Sequence, residues 1–156
     1  MSIADVETDG PFSIFAGFDR LLVLLDGVGM DLVDSNDGSR MMLRPDAPRA
    51  RFTGERPIAA ELVNGPTVDF NVIWDRERFT ARELDRDGWE NATLGEAAGS
   101  VVIAHVLSGA LATNGDLTAT AGQTILDETG RGVRLTGDGE ALVAVLTPTL
   151  DANQEH

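Results

Sequence analysis

Short hydrophobic segments alternate with stretches rich in Gly, Asn, Asp and Pro along the whole chain, with no long helical periodicity. The apolar runs Arg20–Asp26 and Ala141–Leu146 have the length of buried strands, and Ser100–Leu107 has a similar pattern. Four further short strands are predicted beside turn residues, at Arg40–Arg44, Leu111–Thr113, Asp116–Thr120 and Val133–Thr136. Many short strands at this spacing indicate an all-β sandwich or barrel.

Turn residues and one polar segment organise this pattern. Asn114-Gly115 predicts a two-residue hairpin, because both central residues of such a turn take positive φ. Gly137-Asp138-Gly139 predicts a second hairpin. The polar segment 80–99 divides the chain into strand-rich halves, about 1–79 and 100–150. We expect it to be a connection with a short helical turn, or a cover over one barrel end. We expect a single domain over 1–156, because the second half alone would form only a marginal core.

Composition removes several classes of function. The 156 residues include no cysteine, which excludes disulfides and thiolate sites, and only two histidines, His105 and His156. The net charge is −14, from 26 acidic residues against 12 arginines, which disfavours nucleic acids and anionic membranes as partners. No apolar run reaches the roughly 18 residues of a membrane span. The acidic N-terminus is unlike a signal peptide, so a cytoplasmic location is expected.

Two ordered groups of residues in the first half carry a family resemblance. The first is Gly10-Pro11-Phe12-Ser13, Phe15, Gly17, Asp19-Arg20, Leu24-Leu25, Gly27 and Gly29, and the second is Phe52, Gly54, Pro57, Leu62, Gly65-Pro66 and Asp69-Phe70-Asn71-Val72. Together they resemble the HutD/Ves family. The resemblance implies a cupin-like jelly roll, or double-stranded β-helix barrel, which in members is often a doubled version.

The same resemblance implies a role in sensing or limiting the flux of histidine utilisation, with N-formylglutamate as a suggested ligand. The sequence departs from the family pattern at Ala16, at Glu55 and at Trp74-Asp75. These departures concern the ligand more than the fold.

Metal chemistry is not favoured. Metal-dependent cupins present two histidines one residue apart, a nearby glutamate and a third histidine on a distant strand. The corresponding stretch here holds His105 alone. We therefore predict no metal and no cofactor.

Five residues are candidates for binding a small anionic metabolite: Arg20, Asp69, Asn71, His105 and Ser13. Arg20 is the cation suited to clamp a carboxylate, although a salt bridge with Asp19 is a structural alternative. Asp69 and Asn71 alternate with apolar residues, so they face a pocket, solvent or a turn. His105 is a polar anchor in an apolar barrel or a buried structural histidine, and Ser13 bonds a ligand or closes a turn.

Three hypotheses follow for the function. The first is a metal-independent cupin-like protein that binds a small carboxylate, and binding is favoured over catalysis. The second is a cupin-type isomerase or lyase that uses His105 and Asp69 as an acid/base pair. The third is a homodimeric interaction scaffold.

Overall fold

The computed structural model describes residues 1–149, which form strands throughout apart from one short helix. The chain divides into two compact units, of which the first is Met1–Glu77 and the second begins at Arg78. Within the described residues, no helix is long and apolar enough to cross a membrane. Leu150, the last residue of the predicted second half, lies outside the described residues.

The first unit contains eight strands in two four-stranded antiparallel sheets. The strands are β1 (Ser2–Val6), β2 (Gly10–Pro11), β3 (Phe18–Asp26), β4 (Met30–Asp34), β5 (Arg40–Leu43), β6 (Arg49–Thr53), β7 (Ile58–Leu62) and β8 (Thr67–Asp75). One sheet has the order β1-β8-β3-β6 and the other the order β2-β7-β4-β5. This arrangement is a jelly roll.

The second unit also contains two four-stranded sheets. Its elements are β9 (Phe79–Leu84), α1 (Arg86–Trp89), β10 (Thr93–Leu94), β11 (Val101–Ser108), β12 (Ala110–Thr113), β13 (Thr118–Thr120), β14 (Thr124–Asp127), β15 (Val133–Gly137) and β16 (Glu140–Pro148). The sheet orders are β14-β11-β16-β9 and β10-β15-β12-β13. Asp85 caps α1 by accepting a hydrogen bond from the Gly88 amide.

Each unit encloses its own apolar core. In the first unit, Leu22 and Leu24 of β3 pack with residues of the opposite sheet such as Met30, Leu32 and Ile58. In the second unit, Val102, Ala104 and Val106 of β11 pack in the same way with residues such as Leu111 and Leu135. Alternation along the strands places these side chains on one face. The prediction of an all-β, cupin-like jelly roll is therefore confirmed.

The two units repeat one topology, although the sequence shows no convincing repeat. Adding eight to each strand number of the first unit gives the strand order of the second unit in both sheets. The central strand pairs also share a β-bulge, between Leu24 and Asp26 in β3 and between Val106 and Ser108 in β11. Because the bulge fixes the register, it aligns the two units residue by residue.

Segment 80–99 contains the expected short helical turn, but it is more than a connection. Most of β9, the helix α1 and all of β10 lie in this segment, and β9 is an edge strand paired with β16. Charged residues such as Arg82 and Glu83 hid this strand, because edge strands tolerate polar side chains that buried strands do not. The segment belongs to the second unit, which begins at Arg78.

The first predicted hairpin forms between β12 and β13 but has a different turn, whereas the second predicted hairpin does not form. The turn after β12 has its left-handed residue at Asp116, with φ of 67°, and not at Asn114-Gly115. The Asn114 side chain is instead used across strands, where it accepts a hydrogen bond from the Arg134 amide at 3.2 Å. The Gly137-Asp138-Gly139 turn connects β15 and β16, which lie in different sheets, so it is a corner and not a hairpin.

Candidate functional site

Three polar residues lie on the interior face of the first unit. Leu22 and Leu24 of the core pair directly with Asn71 and Asp69 of β8, so these two polar side chains share the core-facing side of the sheet. Arg20, two residues before Leu22, lies on the same face. Their exposed fractions are 4% for Arg20, 0% for Asp69 and 4% for Asn71. The alternation seen in the sequence therefore directs Asp69 and Asn71 inward and not to solvent.

A chain of hydrogen bonds joins these residues. Arg20 donates from Nη2 to Oδ1 of Asn71 at 3.0 Å and from Nη1 to the backbone carbonyl of Ser13 at 3.3 Å. Asn71 donates in turn from Nδ2 to Oδ1 of Asp69. Two buried atoms of these hydrogen-bonded side chains, Nε of Arg20 and Oδ2 of Asp69, have no hydrogen-bond partner among residues 1–149. The site thus keeps one donor and one acceptor free inside the unit, which native proteins usually avoid.

Aromatic rings surround the Arg20 guanidinium. Its Cζ lies 4.9 Å from the ring centroid of Phe12, 5.8 Å from that of Phe15 and 5.3 Å from that of Phe52. Rings at these distances stabilise a buried cation through their negative faces. Phe12 and Phe15 belong to loop 12–17, which therefore forms one wall of the site.

Backbone contacts hold loop 12–17 closed over Arg20. The amides of Phe12 and Phe15 donate to the carbonyls of Ile58 and Gly54, each at 2.8 Å. At the other end of the loop, the Gly17 amide donates to Oε1 of Glu55 at 2.7 Å. Arg20 itself bonds to the carbonyl of Ser13, so the guanidinium and the loop are in direct contact.

Burial changes the acid–base properties of the pair. Desolvation raises the pKa of Asp69 to about 6, against the opposing effects of the Arg20 charge and the Asn71 hydrogen bond. Desolvation also lowers the pKa of Arg20, which the Asp69 charge partly offsets. Asp69 therefore changes its charge near pH 6 while Arg20 remains a cation.

The second unit carries apolar residues where the first carries this polar chain. Aligned on the shared bulge, Arg20 corresponds to Val102 and Asn71 to Val143, while Asp69 corresponds to Ala141. Val102 and Val143 are buried in the core of the second unit. The second jelly roll therefore forms without polar groups at these positions.

The structure does not place His105 in this polar chain. His105 belongs to the second unit and lies on the face of β11 opposite to the core residues Ala104 and Val106. Its Nδ1 lies 2.9 Å from Oγ1 of Thr124 on the neighbouring strand. Of the two alternatives for His105, this buried position outside the core cluster fits a structural histidine and not a polar anchor inside the barrel. Ser13 does contact Arg20, through its backbone carbonyl.

The salt bridge between Asp19 and Arg20, which was the structural alternative for Arg20, is also absent from the described contacts. Neighbouring residues on a strand point to opposite faces, and Asp19 pairs instead with Arg76 at 3.0 Å. Arg76 also pairs with Glu55, the residue that holds the Gly17 amide. The Arg20 side chain consequently lies in the interior without an ion pair to Asp19.

His105 is expected to make the fold sensitive to acid. Burial lowers its pKa, so the unfolded chain binds a proton that the folded chain resists, and stability falls as pH drops below about 6.5. Replacement by a neutral amide, His105→Gln, is expected to reduce this loss. Urea unfolding of both proteins at pH 7.5 and pH 5 measures the difference. An unchanged loss between the two pH values in His105→Gln would contradict the assignment.

No metal centre emerges from the described residues: within 1–149, no group of three or more His, Asp or Glu side chains could hold a metal ion. The site residues that sequence reasoning missed are Phe12, Phe15, Phe52 and Glu55. All four lie inside or beside the family-like motifs, but nothing in the spacing showed that they surround or close over Arg20.

The repeated jelly roll defines a cupin-like protein, and comparison with known proteins agrees. The chain belongs to the HutD family, whose model matches residues 1–145. It is 41% identical over 88 residues to an uncharacterised 21.2 kDa protein from the hutC 3' region of Pseudomonas putida, which covers 56% of this chain and 45% of that protein. It is 36% identical over 117 residues to the protein Ves of Cronobacter sakazakii, which covers 74% of this chain and 61% of Ves.

Solved structures give the same result. HutD from Pseudomonas fluorescens SBW25, in a formate condition, matches with a TM-score of 0.73 at 26% identity, over 94% of this chain and 77% of that one. A cupin 2 conserved barrel protein from Leptotrichia buccalis shares the fold, with a TM-score of 0.53 at 9% identity, over 92% of this chain and 80% of that one. The matches to the two curated relatives span less than two thirds of each relative's length.

Proposed function

We propose that the first unit binds a small carboxylate metabolite at Arg20, and that the chain works as a metal-independent binding or regulatory protein of histidine utilisation. The observation that carries this proposal is the buried Arg20–Asn71–Asp69 chain, at positions that the second unit fills with Val and Ala. A guanidinium with a free N–H is the group that proteins use to bind carboxylates. N-formylglutamate is the leading candidate ligand, because two of the similar proteins carry hut names.

The proposed site predicts one ligand for each chain. N-formyl-L-glutamate, formate, glutamate and succinate are the compounds to test, by thermal shift and by calorimetric titration. A ligand at a hundred times its Kd stabilises the folded state by about 2.7 kcal/mol, which raises Tm by about 5–10 °C for a chain of this size. Binding of any of these carboxylates with unit stoichiometry is the expected result.

Matched arginine variants show whether Arg20 is the binding group. Arg20→Lys keeps the charge but loses the planar fork of donors, so at least about a tenfold loss of affinity is expected. Arg49→Lys makes the same change at an exposed position of the same sheet and is expected to bind like the wild type. Equal affinity of Arg20→Lys and the wild type would contradict the proposal.

Catalysis by His105 and Asp69, and assembly as a homodimeric scaffold, remain the alternative hypotheses. The first of these hypotheses assigns proton transfer to His105 and Asp69 as an acid/base pair. Turnover of a bound carboxylate that is lost in His105→Gln would favour the enzyme. A dimer in solution that binds no carboxylate would favour the scaffold.

A further inference from the structure

Two unpartnered atoms stand at the two ends of the polar chain in the first unit. Nε of Arg20 is a donor, and Oδ2 of Asp69 is an acceptor when the carboxyl is ionised. Asn71 lies between the two residues in the hydrogen-bonded series and bonds to both. A carboxylate ligand offers acceptors only, so it matches Arg20 but conflicts with an ionised Asp69. Protonation of Oδ2 removes this conflict, because the oxygen then becomes a second donor.

We propose that a carboxylate bound at Arg20 is held on its other side by Asp69 in its acid form, so that one proton enters the site with each ligand. This inference rests on the proposed function and adds a regulation to it, because binding then responds to pH. The step is a proton transfer from solvent to Oδ2 of Asp69, and no covalent bond of the ligand changes.

The charges around Asp69 support this coupling. On the interior faces of the strands that pack with β8, Arg20 of β3 is the cation, while Ala4 of β1 and Leu24 of β3 lie directly opposite Asp69. From the opposite sheet, the interior face of β4 carries Asp34, whose carboxylate is paired with Arg56 at 2.6 Å. Arg20 is therefore the cation that the described structure offers to both Asp69 and an incoming carboxylate.

Asp69 of the free protein is already easier to protonate than an ordinary aspartate. Burial raises the pKa of Asp69 to about 6, so the carboxyl of the free protein is mostly ionised at neutral pH. A second negative charge near Arg20 disfavours the ionised form further, because like charges in one site raise the pKa of the weaker acid. The ligand thus draws a proton onto Asp69 when it binds.

Calorimetric titration tests the coupling with N-formyl-L-glutamate as the probe. Titrations at pH 5.5, 6.5, 7.5 and 8.5, each in two buffers of different ionisation enthalpy, give the number of protons taken up. Uptake is expected to approach one proton per ligand above pH 7, and affinity to fall about tenfold for each pH unit there. Asp69→Asn carries a permanent N–H donor at this position, and its affinity is expected to be independent of pH.

A control variant and two different negative results distinguish this inference from the proposed function. Asp46→Asn makes the same change at an exposed position of the first unit and is expected to keep the wild-type pH dependence. Binding that is lost in Arg20→Lys but shows no proton uptake overturns this inference and leaves the proposed function standing. Absence of binding by every carboxylate at every pH overturns both.

A second measurement tests Asp69 without a ligand. Because its pKa in the folded chain lies above its ordinary value, the folded chain binds the proton more tightly, and stability falls as pH rises from about 4 to about 6. Urea unfolding across this range is expected to show a smaller fall in Asp69→Asn than in the wild type. The same fall in both proteins would show that Asp69 does not titrate in this range, and would overturn the inference.

Discussion

A triple substitution that gives the first unit the residues of the second, Arg20→Val, Asp69→Ala and Asn71→Val, is expected to leave a folded chain that no longer binds carboxylates. The aligned positions of the second unit already hold these residues in a jelly roll of the same topology. Replacing a complete buried ionic group by apolar residues is often neutral or stabilising. We expect the free energy of unfolding to stay within about 2 kcal/mol of the wild type, since the smaller valine leaves some space beside the aromatic rings.

The single substitution Arg20→Ala is expected to behave in the opposite way. It leaves Asp69 buried without the cation that partly compensates its charge, and breaking a buried pair costs about 3–5 kcal/mol. Urea unfolding of the wild type, the single variant and the triple variant measures the difference. If the triple variant unfolds as easily as Arg20→Ala, the three polar side chains are needed for folding. The proposal that they bind a carboxylate then loses its main support.

Gly54→Ala is expected to be among the most destabilising single-methyl changes in the first unit. A Cβ at this position would overlap the carbonyl oxygen of Phe15 and lie 2.9 Å from that of Phe18, and both contacts are with backbone atoms. The Gly54 backbone also bonds to both residues, since its carbonyl accepts from the Phe15 amide at 2.8 Å and its amide donates to the Phe18 carbonyl at 2.7 Å. Neither side can move without losing a hydrogen bond, so a loss of about 3 kcal/mol is expected.

The same substitution is expected to loosen loop 12–17. Amide hydrogen exchange at Phe12 and Phe15 should become faster, because these amides hold the loop against Ile58 and Gly54. Gly10→Ala is the matched control, since an added Cβ there meets no atom within 4 Å and its stability should lie within about 0.5 kcal/mol of the wild type. Wild-type exchange and stability in Gly54→Ala would show that the loop adapts, and that its closure is weaker than its contacts suggest.

The sequence predicts the fold class well because its signal is local. Runs such as Arg20–Asp26 and Ala141–Leu146 lie within β3 and β16, where apolar residues fill both faces of a central strand. The edge strand β9 escaped prediction because its alternating polar side chains resemble a loop. The repeat escaped prediction because topology does not depend on residue identity: Arg20 and Val102 occupy the same position with opposite chemistry.

The candidate site was predictable in part for the same reason. Period-two alternation placed Asp69 and Asn71 on one face, and the charge of Arg20 singled it out as an anion binder. The side of the sheet that faces the core is decided by the partner sheet, so the sequence could not show that Ala104, and not His105, faces the core of the second unit. Phe52 stacks on Arg20 from a strand more than thirty residues away, and only the register of β3 with β6 brings them together.

Strand pairing that stays within each unit has a consequence for the order of events on the ribosome. Every described partner strand of β1 to β8 has been synthesised once Asp75 has been added, so the strand pairing of the first jelly roll needs no strand from the residues that follow. Chains are made at about 5–20 residues per second, which is slow compared with the folding of many small domains. The half that carries the Arg20 site can thus complete its strand pairing while the second half is still being translated.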